Sequence, residues 1–186
     1  MRHYRAEYKG IPKMENIILI GFMGCGKSSV GKRLAGSLGM DFIDTDVLIE
    51  EKQKRTISDI FAQDGERTFR DMETQCLHDL LGEKRNAYVL SVGGGLPIRE
   101  ENRQLLSKLG KVVFLRVTPD VVYKRLQNDT TRPLLQGKNP RGRIADLMNA
   151  RREYYEAAAS YIIDVSDKSF TDIIGEIVNV CGKETI

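Results

Sequence analysis

The sequence predicts a three-layer α/β fold with a five-stranded parallel sheet, and two observations lead to this prediction. Short aliphatic segments recur along the 186 residues without alternating apolar and polar positions, which is typical of strands buried on both faces. The segments between them carry apolar residues at helical spacing. Since helices that alternate with parallel strands cover both faces of one sheet, this order favours a single three-layer unit. The five predicted strands lie at 16–20, 40–43, 88–92, 111–117 and 161–165.

The predicted helices have apolar stripes, and some have recognisable ends. A stripe of four apolar residues runs through 65–81, and Gly82 follows it as a plausible helix stop. A helix over 118–127 is predicted to begin with Thr118 as its N-cap and Pro119 at its first position. The remaining predicted helices lie at 99–109, 144–158 and 170–181.

Two segments depart from this simple alternation. The 44 residues between the second and third predicted strands are too many for one crossover, so we expect two or three helices there. They form an insert over about 45–82, which we interpret as a cap that binds an acceptor. Residues 128–143 are rich in glycine, proline and cations, and a basic loop of this kind predicts a mobile lid over a phosphate group.

Charge is distributed unevenly along the chain. Residues 1–13 contain four basic residues and one acidic residue, so they carry the whole net charge of +3. We expect them to be a disordered basic tail, and residues 14–186 to form one domain with no net charge. A domain without excess positive charge disfavours a nucleic-acid partner. No segment reaches the ~20 apolar residues of a membrane helix, so we expect no membrane partner either.

The three cysteines also constrain the class of protein. Cys25, Cys76 and Cys181 are widely spaced and have no metal-ligand pattern. We interpret them as reduced thiols of a cytoplasmic protein, which we expect to be a monomer.

Residues Gly21 to Ser28 match the pattern G-x-x-x-x-G-K-[ST] completely, directly after the first predicted strand and at the start of a helix. Backbone amides of such a loop surround phosphate oxygens, and the helix N-terminus favours their charge. Lys27 is predicted to neutralise the β- and γ-phosphates, and Ser28 to bind Mg²⁺. The nucleotide-binding residues predicted in and beside this loop are Gly24, Cys25, Gly26, Lys27, Ser28 and Ser29.

This loop does not identify the acceptor, because GTPases, ATPases, motors and small-molecule kinases share it. The chain lacks the Asn-Lys-x-Asp motif expected of a GTPase, and motors are generally larger. A short chain with an inserted cap and a basic lid favours a small-molecule kinase, because a lid excludes the water that otherwise hydrolyses ATP.

Asp44 and Asp46 follow the second predicted strand, and ligands of open α/β sheets bind at such carboxyl ends. One carboxylate can support the metal, and the other can act on the acceptor hydroxyl as base or orienting group. A helix N-cap made by Thr45 or Asp46 is the simpler alternative.

Further candidates lie beyond this pair. Gly93, Gly94 and Gly95 follow the third predicted strand and permit close backbone approach to a ligand. Arg70 and Glu73 have the spacing of a solvated i,i+3 ion pair on a helix, which is the usual outcome for such a pair. Phosphoryl transfer also needs cations at the transferring group, and Arg132 in the lid is the best placed of several arginines.

Taken together, these motifs resemble the shikimate kinase family over roughly residues 16–180. The resemblance rests on an ordered set of segments. They are Gly-Phe-Met-Gly-Cys-Gly-Lys-Ser (21–28), Asp-Thr-Asp (44–46), Ile-Ser-Asp-Ile-Phe (57–61), Gly-Glu-x-x-Phe-Arg-x-x-Glu (65–73), Gly-Gly-Gly (93–95), Arg-Pro-Leu-Leu (132–135) and Arg-x-x-x-Tyr (151–155).

The resemblance implies a P-loop kinase fold in the nucleoside monophosphate kinase style, with inserted substrate-binding helices and a closing lid. It implies that ATP, with Mg²⁺, phosphorylates the C3 hydroxyl of shikimate in aromatic amino-acid biosynthesis. The catalytic residues implied are Lys27, Asp46 and Arg132; Ser28 and Asp44 serve the metal, and Arg125 stacks near adenine. The substrate residues implied are Asp46, Arg70, Gly93, Gly94, Gly95 and Arg151, with Phe61 and Phe69 as an apolar wall.

Two alternatives stay open from the residues alone. One is a kinase of another small polyhydroxy acid such as gluconate. The other is a non-catalytic ATP-binding regulator, against which the acceptor-like residues Asp46, Arg70 and Arg151 argue.

Overall fold

A computed structural model describes residues 15–127 and 139–182 of the chain. Its sheet has five parallel strands in the order β2-β3-β1-β4-β5, as the sequence predicts. The strands are β1 (Asn16–Ile20), β2 (Asp41–Asp44), β3 (Tyr88–Ser91), β4 (Gly110–Arg116) and β5 (Tyr161–Asp164). The helices are α1 (Lys27–Leu38), α2 (Thr45–Gln53), α3 (Ile57–Gly82), α4 (Glu100–Leu109), α5 (Pro119–Leu126), α6 (Pro140–Ala158) and α7 (Phe170–Cys181), with a short 3₁₀ helix at Leu96–Ile98.

The central strands form the core of the molecule. All four residues of β3 and the last four of β1 are buried, as expected for strands covered on both faces. Helices α1 and α7 contact each other. Helices α4 and α6 also contact each other, and both contact β4. Because β1 lies between β3 and β4, the loops after these three strands meet at one edge of the sheet.

The insert between β2 and β3 contains two helices, and the second is longer than predicted. Helix α3 begins at Ile57, and Gly65 interrupts it with φ 78° and ψ 171°. Side chains are essentially excluded from that backbone conformation, so glycine permits the break. The sequence prediction of a helix over 65–81 therefore found only the part of α3 that follows this break.

Two helix starts also differ in detail from the predictions. Thr118 is the N-cap residue of α5, but its side chain makes no capping hydrogen bond. Helix α6 begins at Pro140 rather than at 144, because the Asn139 side chain accepts from the Gly142 amide and caps it. Residues 140–143, which the sequence analysis includes in the lid, therefore form the first turn of α6.

Other predictions fall outside the described residues, namely the basic tail 1–13 and the lid residues 128–138, which include Arg132. Within residues 15–127 and 139–182, no helix is long and apolar enough to cross a membrane.

Candidate active site

The glycine-rich loop connects β1 to the N-terminus of α1, as its motif requires. Gly24 and Gly26 have φ of 74° and 103°, which the loop needs in order to turn its backbone amides inwards. The Lys27 Nζ donates to the carbonyl oxygens of Gly21 at 2.9 Å and of Phe22 at 3.2 Å. The ammonium group is therefore held over its own loop, where an arriving phosphate group can replace the carbonyl oxygens as its partner.

Two predicted nucleotide-binding residues, Cys25 in the loop and Arg125 in α5, differ from the others in their contacts. The Cys25 side chain is buried and does not line the cleft, so its place in the motif is structural. The Arg125 Nη1 donates to the carbonyl oxygens of Gly24 and Cys25, at 3.1 Å each. Arg125 thus ties α5 to the phosphate-binding loop, a contact that the sequence analysis did not anticipate.

Asp44 joins the second strand to the phosphate-binding loop. Its Oδ2 accepts from the Ser28 hydroxyl at 3.0 Å, and its Oδ1 accepts from the Asp46 amide at 3.1 Å. Asp44 is therefore the N-cap of α2, whereas the sequence analysis assigned that alternative role to Thr45 or Asp46. The cap fixes the carboxylate within reach of Ser28.

Asp46 lies in the first turn of α2 and faces the cleft. Burial raises the pKa of its carboxyl group, and the negative charge of Asp44 adds to this effect, while Lys27 and Arg70 oppose it. Its Oδ1 is buried and has no hydrogen-bond partner in the described part of the chain. An acceptor-only oxygen of this kind can receive a hydrogen bond from a ligand hydroxyl.

Arg70 projects from α3 between two carboxylates. Its Nη1 donates to Glu73 Oε2 at 2.8 Å, and its Nη2 donates to Glu66 Oε1 at 2.9 Å. The i,i+3 pair predicted from the sequence therefore forms, but it is not solvated: the Glu73 side chain is 0% exposed and that of Arg70 is 17% exposed. Burial raises the Glu73 pKa to about 7, although Arg70 opposes that rise.

The glycine segment after β3 passes close to these side chains. The Gly93 amide donates to the Thr45 hydroxyl at 3.1 Å, which ties the segment to α2. A Cβ atom at Gly95 would lie 2.5–2.6 Å from three atoms of the Arg70 guanidinium group. In this structure the glycine segment approaches protein side chains closely, and its approach to a ligand stays a prediction.

Helix α6 brings a second arginine to the same cleft. The Tyr155 hydroxyl donates to the Gly94 carbonyl oxygen at 2.6 Å and joins α6 to the glycine segment. Arg151, one turn earlier, places its guanidinium carbon 6.0 Å from the centre of the Phe22 ring. Its positive charge also acts on Tyr155, whose pKa burial raises to about 12.

A single cleft of about 430 Å³ contains most of the predicted site. Arg70 and Arg151 line it together with residues of the phosphate-binding loop, and Phe69 contributes an apolar wall. Phe61 does not line the cleft; it is exposed and packs on Phe69 with 4.7 Å between ring centres. The predicted residues that line the cleft are Gly24, Gly26, Lys27, Ser28, Ser29, Asp44, Asp46, Arg70, Gly93, Gly94, Gly95 and Arg151.

Further residues that were not predicted as site residues also line this cleft, chiefly Glu73, Ile57 and Ser91. Glu73 could have been predicted as a site residue, since it is the last residue of the Gly-Glu-x-x-Phe-Arg-x-x-Glu pattern at 65–73. Ile57 likewise begins the Ile-Ser-Asp-Ile-Phe segment at 57–61, whereas no motif includes Ser91, an ordinary residue at the end of a strand.

The donors in the cleft fit a magnesium ion bound together with a nucleotide. The described residues contain no group of three histidine, cysteine, aspartate or glutamate side chains that could hold a metal ion. Ser28 and Asp44 nevertheless supply two oxygen ligands 3.0 Å apart at the phosphate-binding loop. Magnesium in phosphoryl-transfer sites takes few protein ligands and completes its shell with phosphate oxygens and water.

The fold and the cleft together define a P-loop phosphotransferase of the small-molecule kinase class. The family model described as shikimate kinase matches residues 23–182. The chain belongs to the shikimate kinase family.

Individual relatives agree with this assignment. The chain is 42% identical over 165 residues to a shikimate kinase of Thermodesulfovibrio yellowstonii, with 89% of this chain and 94% of that protein covered. It is 43% identical over 164 residues to one of Bacillus cereus, with 88% and 96% covered. Among solved structures, a shikimate kinase from Acinetobacter baumannii in complex with shikimate matches with a TM-score of 0.82 and 38% identity, covering 90% of this chain and 92% of that one.

Proposed function

We propose that this protein transfers the γ-phosphoryl group of ATP to the C3 hydroxyl of shikimate, a step in aromatic amino-acid biosynthesis. One observation supports this most strongly. The phosphate-binding Lys27 and the acceptor set Asp46, Arg70 and Arg151 line the same cleft. Phosphoryl transfer requires this arrangement, because the enzyme contributes chiefly positioning and charge stabilisation.

On the nucleotide side, the phosphate-binding loop and the N-terminus of α1 hold the triphosphate. Lys27 leaves the carbonyl oxygens of Gly21 and Phe22 and contacts the β- and γ-phosphates. Ser28 and Asp44 would hold Mg²⁺, which supplies neutralisation of the phosphate charge when bound. We assign Arg125 to the adenine side of this site, and Arg132 to the γ-phosphoryl group.

On the acceptor side, the insert 45–82 contributes Asp46 and Arg70. Shikimate is a small carboxylate with three hydroxyl groups, so its site needs cations for one end and acceptors for the other. Arg70 and Arg151 provide the cations, and the unpartnered Oδ1 of Asp46 provides the acceptor. The backbone of Gly93 to Gly95 closes the site between them.

In the transfer step, Asp46 orients the acceptor hydroxyl and accepts its proton as the oxygen attacks the γ-phosphorus. The bond between the γ-phosphorus and the bridging oxygen of ADP breaks, and ADP carries the displaced electron pair. Lys27 stabilises the charge that develops on the phosphoryl oxygens. We propose that the protein acts as a monomer, since one chain supplies the described residues that line the cleft, and that it is cytoplasmic, as its three free cysteines suggest.

ADP release coupled to NADH oxidation tests this function, with ATP and Mg²⁺ present and shikimate, gluconate or no acceptor added. We expect turnover with shikimate and none with gluconate. Turnover with gluconate alone would favour the polyhydroxy-acid alternative. Tight ATP binding by folded protein, with no acceptor-dependent turnover, would favour the regulator.

Arg151→Ala should raise the KM for shikimate by about 10- to 100-fold, since a hydrogen bond to a charged group is worth about 1.5–3 kcal/mol. The KM for ATP should stay within threefold. Arg152→Ala is the matched control, because the neighbouring Arg152 is exposed and does not line the cleft. Steady-state kinetics with each substrate varied measure both constants, and an unchanged KM for shikimate in Arg151→Ala would reject the carboxylate assignment.

Gly95→Ala should raise the KM for shikimate at least tenfold, because the added methyl group must displace the Arg70 guanidinium group. The backbone at this position, φ −95° and ψ −12°, accepts alanine without strain. Gly36→Ala in α1 is the control, since a methyl group there meets nothing within 4 Å. The same kinetics measure the effect, and equal KM values in the two variants would show that Arg70 does not bind the acceptor.

A further inference from the structure

Tyr155 is a buried residue of α6 to which the proposed reaction gives no part. It does not line the cleft, and only 2% of its surface is exposed. Its ring packs on Phe114 of β4, with 5.1 Å between the ring centres. Burial raises the pKa of its hydroxyl group to about 12, so the hydroxyl keeps its proton near neutral pH. Tyr155 is therefore a neutral hydrogen-bond donor, and its position is fixed by the core.

This hydroxyl sets the orientation of a peptide group in the glycine segment. It donates to the Gly94 carbonyl oxygen at 2.6 Å. The peptide bond between Gly94 and Gly95 is trans, so its carbonyl and its N–H point in opposite directions. The Gly95 N–H therefore points away from the Tyr155 hydroxyl. Within the described residues this N–H has no hydrogen-bond partner, and Gly95 lines the cleft. The bond thus orients a backbone donor that a ligand can use.

The glycine segment is held by other parts of the molecule as well. A Cβ atom at Gly94 would lie 3.4 Å from the Gly21 carbonyl oxygen and 3.5 Å from the Met23 nitrogen, so the segment packs against the phosphate-binding loop. The Gly93 amide donates to the Thr45 hydroxyl at the start of α2. Tyr155 adds the hydrogen bond from α6, and the segment is therefore restrained by three elements.

Arg151 lies beside the same hydroxyl. It precedes Tyr155 by four residues, and residues at that spacing are neighbours on one face of a helix. The charge of Arg151 and its hydrogen-bonding groups oppose the rise in the Tyr155 pKa, so the guanidinium group lies close to the hydroxyl oxygen. A guanidinium group has donors only, and the bond to Gly94 uses the hydroxyl proton but leaves the oxygen lone pairs to Arg151. One oxygen atom therefore connects Arg151 with the glycine segment.

We propose that Tyr155 is a positioning residue for the acceptor: its hydroxyl holds the Arg151 guanidinium group and the Gly95 N–H as one unit, so that both donors meet the acceptor at a fixed separation. Tyr155 contacts neither substrate and acts through Arg151 and Gly94. This inference rests on the proposed function, because it takes shikimate as the acceptor.

Tyr155→Phe tests the inference, because it removes one oxygen atom and keeps the ring that packs on Phe114. The KM for shikimate should rise by about 5- to 10-fold, the usual effect of losing one neutral hydrogen bond. The KM for ATP and kcat at saturating shikimate should stay within threefold, because Lys27 and Asp46 keep their places. A purely structural role would lower the unfolding temperature without separating the two KM values. A KM for shikimate within twofold of the unmodified protein would overturn the inference.

Tyr154→Phe is the matched control, because it removes the same atom from the neighbouring residue. Tyr154 is half-buried, lies outside the cleft and has its ring centre 5.5 Å from the guanidinium carbon of Arg103. Both KM values should stay unchanged in this variant. Placing 4-aminophenylalanine at position 155 restores a donor and should keep the KM for shikimate within threefold, which also tests the inference if Tyr155→Phe does not fold. A tenfold higher KM with that residue would overturn it.

A double-mutant cycle tests whether Tyr155 acts through Arg151. In the Arg151→Ala background the unit is already broken, so adding Tyr155→Phe should raise the KM for shikimate by no more than threefold. Effects of the two substitutions that multiply fully would overturn the inference, because independent sites are additive in free energy. Failure of the proposed function is distinguishable, since the unmodified protein would then show no shikimate-dependent ADP release.

Discussion

Lys27→Met should lower kcat by about 10²–10³, the usual effect of removing one electrostatic contact to the developing charge. The methionine side chain is similar in length but has no charge, so it cannot neutralise the phosphate oxygens. The coupled ADP assay at saturating shikimate and ATP measures the loss. We expect a smaller change in the KM for shikimate, because Lys27 belongs to the nucleotide side of the cleft.

Lys32→Met is the control for this prediction, since Lys32 is exposed on the same helix. Its Nζ lies 5.9 Å from the centre of the Phe42 ring, and Lys32 is not among the described residues that line the cleft. Thermal unfolding of both variants checks the fold, because Lys27 also bonds the carbonyl oxygens of Gly21 and Phe22. A kcat within fivefold of the unmodified protein in Lys27→Met would contradict the assigned role.

Asp46→Asn should lower kcat by about 10²–10⁴, the range that a positioned general base contributes. Asparagine retains a hydrogen-bond acceptor, so shikimate should still bind, but it cannot take up the proton of the acceptor hydroxyl. Shikimate affinity from calorimetry and kcat from the coupled assay separate the two effects.

Asp41→Asn provides the matched control, because Asp41 is exposed at the first position of β2 and lies outside the cleft. We expect its kcat to equal that of the unmodified protein. The base assignment fails if Asp46→Asn keeps kcat within tenfold while its shikimate affinity falls, since Asp46 would then only bind the acceptor.

The sheet could be predicted because each strand is recognisable from its own short segment of sequence. The observed strands begin and end within one residue of the predicted bounds. Burial on both faces was predicted for all five strands, but it is wrong for the edge strands β2 and β5, which are only partly buried because each has a neighbouring strand on one side alone. The break in α3 could not be predicted in the same way. The apolar stripe resumes after Gly65 and gives no information about the backbone angles there. Asn139 was also overlooked as a cap, because a loop rich in glycine and proline obscured the start of α6.

Most residues of the candidate site could be predicted from the sequence, but the contacts between them could not. Motifs indicated Lys27, Asp46, Arg70 and Arg151, and the fold brings all four into one cleft. The burial of Glu73 depends on elements distant in sequence, so its spacing from Arg70 indicated only a solvated pair. The contact of Arg125 with the phosphate-binding loop spans about 100 residues of sequence, and no local pattern encodes it.

The bond from Tyr155 to the Gly94 carbonyl oxygen has a consequence for binding affinity. It fixes α6 against the glycine segment, so Arg151 stands beside Phe22 before any substrate arrives. Arg70 is likewise held by its two glutamates. Ordering a flexible side chain at a binding surface costs about 0.5–1.5 kcal/mol, and folding has already ordered both arginines. With Arg70 and Arg151 as the proposed partners of the substrate carboxylate, the two side chains would form a preorganised anion clamp, whose rigidity would let even a ligand of few atoms bind without that entropic loss.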